Sequence, residues 1–190
     1  MTLPSLSKFS LVGDTALSLR FGHRSSVDID LFFHEKFNLP QIENELRQTF
    51  TNDFDYEGGH KQFGIFCYIE KIKTDIVYFP HLPISEIEII DGLRIYSNAD
   101  IAAMKNQAIL GRGKKKDFWD LFELLQHYSL QQIMDWHKQK YPSQMLAISI
   151  PHAITYFVDA DETEAPKSFK GQTWEKVKKG IQKKVSEYLR

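Results

Sequence analysis

In the run Val27-Asp28-Ile29-Asp30-Leu31-Phe32, apolar and acidic residues alternate. A repeat of two is the period of an extended strand. It sends both carboxylates to one face and the flanking apolar side chains to the other. A fold that uses this strand buries the apolar face and leaves the acidic one wet or bound to cations, because an ionised carboxylate without a partner is costly to bury. Oxygens converging from Asp28 and Asp30 suit a hard divalent cation. A plain strand with one solvated face fits the same pattern. Upstream, Phe9-Ser10-Leu11-Val12 reads as a short buried strand, followed by Gly13 and a helical stretch from Thr15 to Phe21. A strand, a glycine turn and a helix N-terminus make a place for phosphates.

Further along, Leu39 to Thr51 carries Ile42, Leu46 and Phe50 at helical spacing, and the polar stretch Asp53 to Lys61, with Gly58-Gly59, reads as a loop. Phe63 to Glu70 and Lys73 to Phe79 predict an antiparallel hairpin. Ile87 to Tyr96 predicts a second strand pair, broken at Asp91-Gly92. The character changes at Asn98, which is placed to cap a helix running through Met104, Lys105 and Ile109. Gly111 and Gly113 interrupt the chain. Asp117 to Tyr128 gives a helix with Trp119, Phe122, Leu124 and Leu125 on its apolar face, and Leu130 to Tyr141 and Pro142 to Val158 read as two more. Asp159 to Gly171 reads as a loop. Thr173 is placed to cap a last helix carrying Trp174, Val177, Ile181, Val185 and Tyr188. The expected fold is α+β: a mixed β-sheet core flanked by helices over residues 1–97, and a helical region over 98–190 packed on that core.

The length of 190 residues suits one domain, or a core with a small appendage. No apolar run reaches the roughly 18 residues of a membrane span. Met1-Thr2-Leu3-Pro4-Ser5 lacks a basic segment leading into an apolar one. Cys67 is the only cysteine, which excludes an intramolecular disulfide and a cysteine-based zinc site. A cytoplasmic chain is the expectation. Net charge is −1, yet residues 167–190 hold eight basic residues against two acidic ones, and Arg112-Gly113-Lys114-Lys115-Lys116 forms a second basic run. Such patches meet a polyanion, or else are the solvated face of an amphipathic helix and an exposed turn.

Asp75 is the candidate third carboxylate, because it interrupts the apolar strand Ile72-Lys73-Thr74-Asp75-Ile76-Val77-Tyr78-Phe79. Asp28, Asp30 and Asp75 together suit two Mg²⁺ ions, one activating an attacking hydroxyl and the other neutralising a departing pyrophosphate. Asp75 is also placed to accept the hydroxyl proton. A phosphate cradle beside such a site is the chemistry of nucleotidyl transfer. Lys105, beside Met104 and Ala108, either donates to a triphosphate or snorkels at the surface. Arg112, Lys116, Asp117 and Asp120 cluster about a helix start, as site residues or as caps. Arg24, Ser25 and Ser26 are placed to reach a phosphate or a base. The seven histidines lack ligand spacing and read as surface or core residues.

Leu11-Val12-Gly13-Asp14-Thr15-Ala16-Leu17-Ser18-Leu19, with Gly22-His23-Arg24-Ser25-Ser26-Val27-Asp28-Ile29-Asp30-Leu31-Phe32, closely resembles the opening of the AbiEii/AbiGii-type nucleotidyltransferases. The stretch from Ala103-Met104-Lys105 to Arg112-Gly113-Lys114-Lys115-Lys116-Asp117-Phe118-Trp119-Asp120-Leu121 is similar to that family too, as is the tail at Trp174-Glu175-Lys176-Val177-Lys178. The resemblance implies a DNA polymerase β-like core. It implies Mg²⁺, with Mn²⁺ as a substitute, on Asp28 and Asp30, with Asp75 as the third acidic position. It implies an NTP held by Gly13, Asp14, Thr15, Arg24, Ser26, Lys105, Lys116, Asp117 and Asp120. The family includes toxins of toxin–antitoxin and phage-abortive systems, and some members modify tRNA 3′ ends. An RNA or protein hydroxyl as acceptor and an antitoxin encoded nearby are therefore expected. The chain departs from the family at Asp14, where Gly or Ser is usual after the first Gly. An acidic side chain there caps the Thr15 helix, helps to bind metal, or weakens nucleotide binding. In the last case the chain is a catalytically weakened relative that serves as a binding or regulatory partner.

Overall fold

The computed structural model describes residues 1–56 and 62–190. A short 3₁₀ turn at Pro4–Leu6 precedes strand β1 (Ser10–Val12), helix α1 (Gly13–Phe21), β2 (Ile29–Phe33) and α2 (Leu39–Phe50). Then come β3 (Phe54–Asp55), β4 (Gly64–Ile69), β5 (Ile72–Tyr78), β6 (Glu88–Ile90) and β7 (Leu93–Ile95). The remaining elements are helical: α3 (Asn98–Gly111), α4 (Lys115–His127), α5 (Leu130–Lys140), α6 (Ile150–Ala153), α7 (Val158–Asp161) and α8 (Trp174–Tyr188). The chain divides into two compact units, Met1–Ala16 with Ser26–Ser97, and Leu17–Ser25 with Asn98–Arg190.

The first unit is built on a seven-stranded sheet in the order β3-β4-β5-β2-β1-β7-β6. β2 runs parallel to β5 and β1 parallel to β7, while the other neighbours are antiparallel. Register sorts the side chains by face. Leu11, Leu31, Ile76 and Ile65 form one cross-strand row and are all buried. Helix α2 packs on β4 and buries Ile42 and Leu46. The next row, Val12, Asp30, Asp75 and Phe66, lies on the opposite face. Both tight hairpins use left-handed residues in pairs, Glu70 and Lys71 between β4 and β5, Asp91 and Gly92 between β6 and β7. Two successive positive φ values match the twist of the flanking strands. Residues 54–55, which the sequence reads as loop, instead pair with Ile69 and Tyr68 as the edge strand β3. The Gly58-Gly59 part of that loop lies outside the described residues.

In the second unit, α3 packs on α4 and α5, and α8 packs on α4 and α5. The core holds Ile101, Phe118, Leu121, Leu124, Ile133, Val177 and Ile181. Thr173 and Ser129 cap α8 and α5 by accepting from the amides of Lys176 and Gln132. Asn98 does not cap α3. Its amide nitrogen donates to Tyr128 Oη at 2.9 Å, and its carbonyl oxygen is buried without a partner. The long helix expected over 142–158 is absent. Met145, Leu146 and Ile148 are exposed, and Pro151 starts the short helix α6 rather than continuing an earlier one. Thr155 Oγ1 bonds the carbonyl of Pro151 and closes that helix after one turn. No helix among the described residues is long and apolar enough to cross a membrane.

Candidate active site

In the first unit, the parallel pairing of β2 and β5 sets Asp30 directly beside Asp75, from segments far apart in sequence. Asp28 lies one residue before β2 rather than on it, two residues from Asp30. All three carboxylates are half-buried. Gly13 ends β1 with φ +70°, and a Cβ built on it would stand 2.8 Å from Asp30 Oδ2. Glycine is therefore needed twice over, for its backbone angle and for the room it leaves the carboxylate. Thr15 Oγ1 donates to the carbonyl of Asp28 and shares a 2.9 Å hydrogen bond with Ser26 Oγ. These contacts tie the first turn of α1 to the segment that enters β2. Asp14 is buried in that first turn. It sits inside the helix and not before it, so it is no N-cap.

Lys73 shares a sheet face with Asp75, two positions on. Its Nζ lies 2.5 Å from Asp75 Oδ2. Burial works to lower the Lys73 pKa, but the Asp75 hydrogen bond and charge, then Asp30 and Asp28, outweigh it and raise the ammonium above its ordinary value. The three carboxylates thus share one neighbouring cation. Asp75 Oδ1 is buried with no hydrogen-bond partner, an oxygen with spare capacity. Among the described residues no three acidic, His or Cys side chains are already drawn together as a ligand set. Here Lys73 provides the positive charge. All-oxygen donors with an orphaned buried oxygen fit a hard ion such as Mg²⁺ or Mn²⁺.

A second group of charged residues occupies the interior of the helical unit. Asp120 lies 2.7 Å from His23 Nε2, 2.7 Å from Arg24 Nε, 2.8 Å from Arg24 Nη2 and 2.7 Å from Lys105 Nζ. Lys105 also bonds Asp117 Oδ1 at 3.1 Å, and Asp117 Oδ2 accepts the Lys114 amide at the start of α4. All five side chains, His23, Arg24, Lys105, Asp117 and Asp120, are buried. Burial pushes the Asp120 carboxyl up, but the Lys105 ammonium, the His23 and Arg24 hydrogen bonds and the Arg24 charge overcome it and hold the carboxyl below its ordinary value. Ser18 Oγ anchors the Arg24 carbonyl at 2.6 Å.

The residues singled out in the sequence thus fall into two groups. Gly13, Asp14, Thr15, Ser26, Asp28, Asp30 and Asp75 belong to the sheet unit, and Arg24, Lys105, Asp117 and Asp120 are gathered in the helical one. Lys116, half-buried on α4, also belongs to the helical unit. Asp117 caps and binds Lys105 at once, so the two readings of it are not exclusive. Lys105 does not snorkel: it is buried in ion pairs. Sequence reasoning missed Lys73, although its spacing of two from Asp75 places it on the same face. It also read His23 only as a surface or core residue, without its place on Asp120.

Comparison with solved structures supports the class that this sheet defines. JHP933 from Helicobacter pylori superposes with a TM-score of 0.57 at 19% identity, over 95% of this chain and 83% of that one. A second Helicobacter pylori structure, assigned provisionally to the nucleotidyltransferases, gives 0.57 at 19% identity over 96% and 89%. The fold is that of the nucleotidyltransferase-like proteins. Residues 3–153 match the family described as nucleotidyl transferase AbiEii toxin, type IV TA system, and the chain belongs to that family. Uncharacterised protein aq_aa25 of Aquifex aeolicus (strain VF5) is 34% identical over 195 aligned residues, covering all of this chain and 92% of that protein.

Proposed function

We propose that this protein transfers a nucleoside monophosphate from an NTP to an acceptor hydroxyl, on RNA such as a tRNA 3′ end, and that it is the toxin of a pair whose antitoxin is encoded nearby. The observation that carries the reading is the side-by-side placement of Asp30 and Asp75, with the Gly13 backbone against Asp30. The acceptor oxygen attacks the α-phosphorus. The new O–P bond forms as the bond to the β-phosphate bridging oxygen breaks, pyrophosphate leaves, and the hydroxyl proton passes to Asp75. Asp28, Asp30 and Asp75 would hold Mg²⁺, which when bound neutralises charge on the phosphates and lowers the pKa of the hydroxyl. The glycine turn and the α1 N-terminus offer backbone N–H groups to the triphosphate. Catalysis in this scheme comes from positioning and charge neutralisation.

Labelled NTPs incubated with total RNA and Mg²⁺ test the reading. Label enters RNA with the wild type and is lost in Asp30→Asn and Asp75→Asn; label that persists in both variants refutes it. One observation favours a second reading. Asp14 places a buried carboxylate in the first turn of α1, where a phosphate would otherwise face an unopposed helix N-terminus. If this charge excludes the triphosphate, the protein is a weakened relative acting as a binding partner, and Asp14→Gly gains activity.

A further inference from the structure

The two basic runs of the sequence meet different ends in the helical unit. At the start of α4, Lys115 Nζ donates to the carbonyls of Asp161 and Thr163 at 3.1 and 2.7 Å, and Arg112 Nε lies 3.7 Å from Asp117. In the C-terminal run, Lys170 is held by Glu123, and Lys178 by Glu175 and Asp161. Lys176 and Lys179 are exposed and have no ion-pair partner among the described residues. Lys183 reaches only Glu187, at 3.8 Å and in solvent. Steps of three and four residues set these three lysines along one stripe of α8, opposite the buried Val177, Ile181 and Val185. A groove of about 390 Å³ separates α8 from α7. Tyr156, Val158 and Asp161 line one bank, and Glu175, Lys179 and Gln182 line the other. Tyr156 and Val158 keep 52% and 59% of their surface exposed. Around Val158 the chain is acidic: Asp159, Glu162 and Glu164 are exposed and also have no ion-pair partner among the described residues. One face thus carries an apolar strip between an acidic bank and a basic one.

We infer that this face is the contact between two copies of the chain, related by a two-fold axis that runs along the groove. Rotation about that line lays the lysine stripe of one copy on the acidic bank of the other, and does so twice. Tyr156 and Val158 then meet their own counterparts at the centre, which gives an apolar middle with charges at the rim. Charge selects this occupant. A nucleic-acid backbone or a uniformly acidic partner suits the lysines but is repelled by Asp159, Glu162 and Glu164, and a basic partner meets the reverse problem. A partner with both signs in swapped order suits both banks, and the same surface turned through the two-fold has that order. The inference stands apart from the reading of Asp28, Asp30 and Asp75 as the reaction centre, which lie in the other unit.

Sedimentation equilibrium of the full chain, from about 1 μM to about 1 mM, tests this. The average mass of the wild type climbs with concentration from the 22.2 kDa of one chain toward twice that value. Salt at about 1 M, where the screening length is about 3 Å, weakens the association. Two charge-reversed variants, Lys176→Glu with Lys179→Glu and Asp159→Lys with Glu162→Lys, each lose at least about tenfold in affinity on their own. Mixed in equal amounts they associate again, because one then has two acidic banks and the other two basic ones. Recovery on mixing also shows that both variants fold. The inference is overturned by a wild type that keeps the mass of one chain over the whole range, by reversed variants that associate as the wild type does, or by a mixture that fails to recover. A monomeric wild type that binds duplex RNA, with that binding lost in the lysine variant, overturns it as well and gives the face to nucleic acid.

Discussion

Lys73 shows how one side chain sets the state of the site. Its ammonium is held by Asp75 at 2.5 Å and feels the charges of Asp30 and Asp28, so it stands where cationic charge is needed. A divalent ion entering this cluster has to displace it or share the carboxylates with it. Lys73→Met accordingly binds Mn²⁺ more tightly than the wild type, by about fivefold for a partly exposed charge. Isothermal titration with Mn²⁺ measures this, and equal or weaker binding in the variant removes Lys73 from that role. Asp75 itself was legible from the sequence, because an acidic residue in an apolar strand demands a partner. The partner Lys73 was as close in sequence, but lysines on strand faces are common and nothing in composition separates this one from a solvated neighbour. Arg24 and Asp120 both stand out in the sequence, yet their pairing across a separation of 96 residues is a product of tertiary packing that no local pattern encodes.

At the scale of elements, the strands were the most readable part. The period-two alternation in β2 and the Asp91-Gly92 turn follow from backbone stereochemistry alone. Helices with caps and apolar stripes, such as α5 and α8, were equally visible. The stretch over 142–158 was not, because only its second part, with Ile150, Ile154 and Phe157, is buried, while Met145 and Ile148 are exposed and Pro151 confines the helix to Ile150–Ala153. The meeting of α4 and α8 also escaped the sequence. Gly180 reads as a weak point in a helix, but a Cβ there would fall 2.2 Å from Phe122 Cε2. The glycine is what lets the buried Phe122 ring lie against α8. Gly180→Ala therefore destabilises by about 1–3 kcal/mol from overpacking, against a helix-propensity gain of at most about 1 kcal/mol. Urea denaturation checks the sign, and Phe122→Leu in the same chain recovers part of the loss.

For the molecule as a whole, stability depends on pH through buried carboxylates. Burial alone would raise both Asp120 and Glu123. Lys105, His23 and Arg24 hold the first below its ordinary value, and Lys170 with His127 and His23 does the same for the second. A carboxyl depressed in the folded state contributes stability that is complete above its unfolded pKa and is lost as pH falls through the folded one. The contribution of these two carboxylates is therefore level above about pH 5 and declines steadily below it. Asp120→Asn lowers stability at pH 7 by roughly 3–5 kcal/mol, since it removes the buried negative charge that His23, Arg24 and Lys105 share, and it flattens the acid decline. Chemical denaturation at several pH values reads both effects.

Most direct of all is a titration of Mn²⁺, with a non-hydrolysable NTP analogue present, into the wild type and into Asp28→Asn, Asp30→Asn and Asp75→Asn. A shared cation site built from a loop end and two adjacent strands predicts saturable binding by the wild type and a loss of at least about tenfold in each variant. Binding by Asp75→Asn that matches the wild type contradicts it.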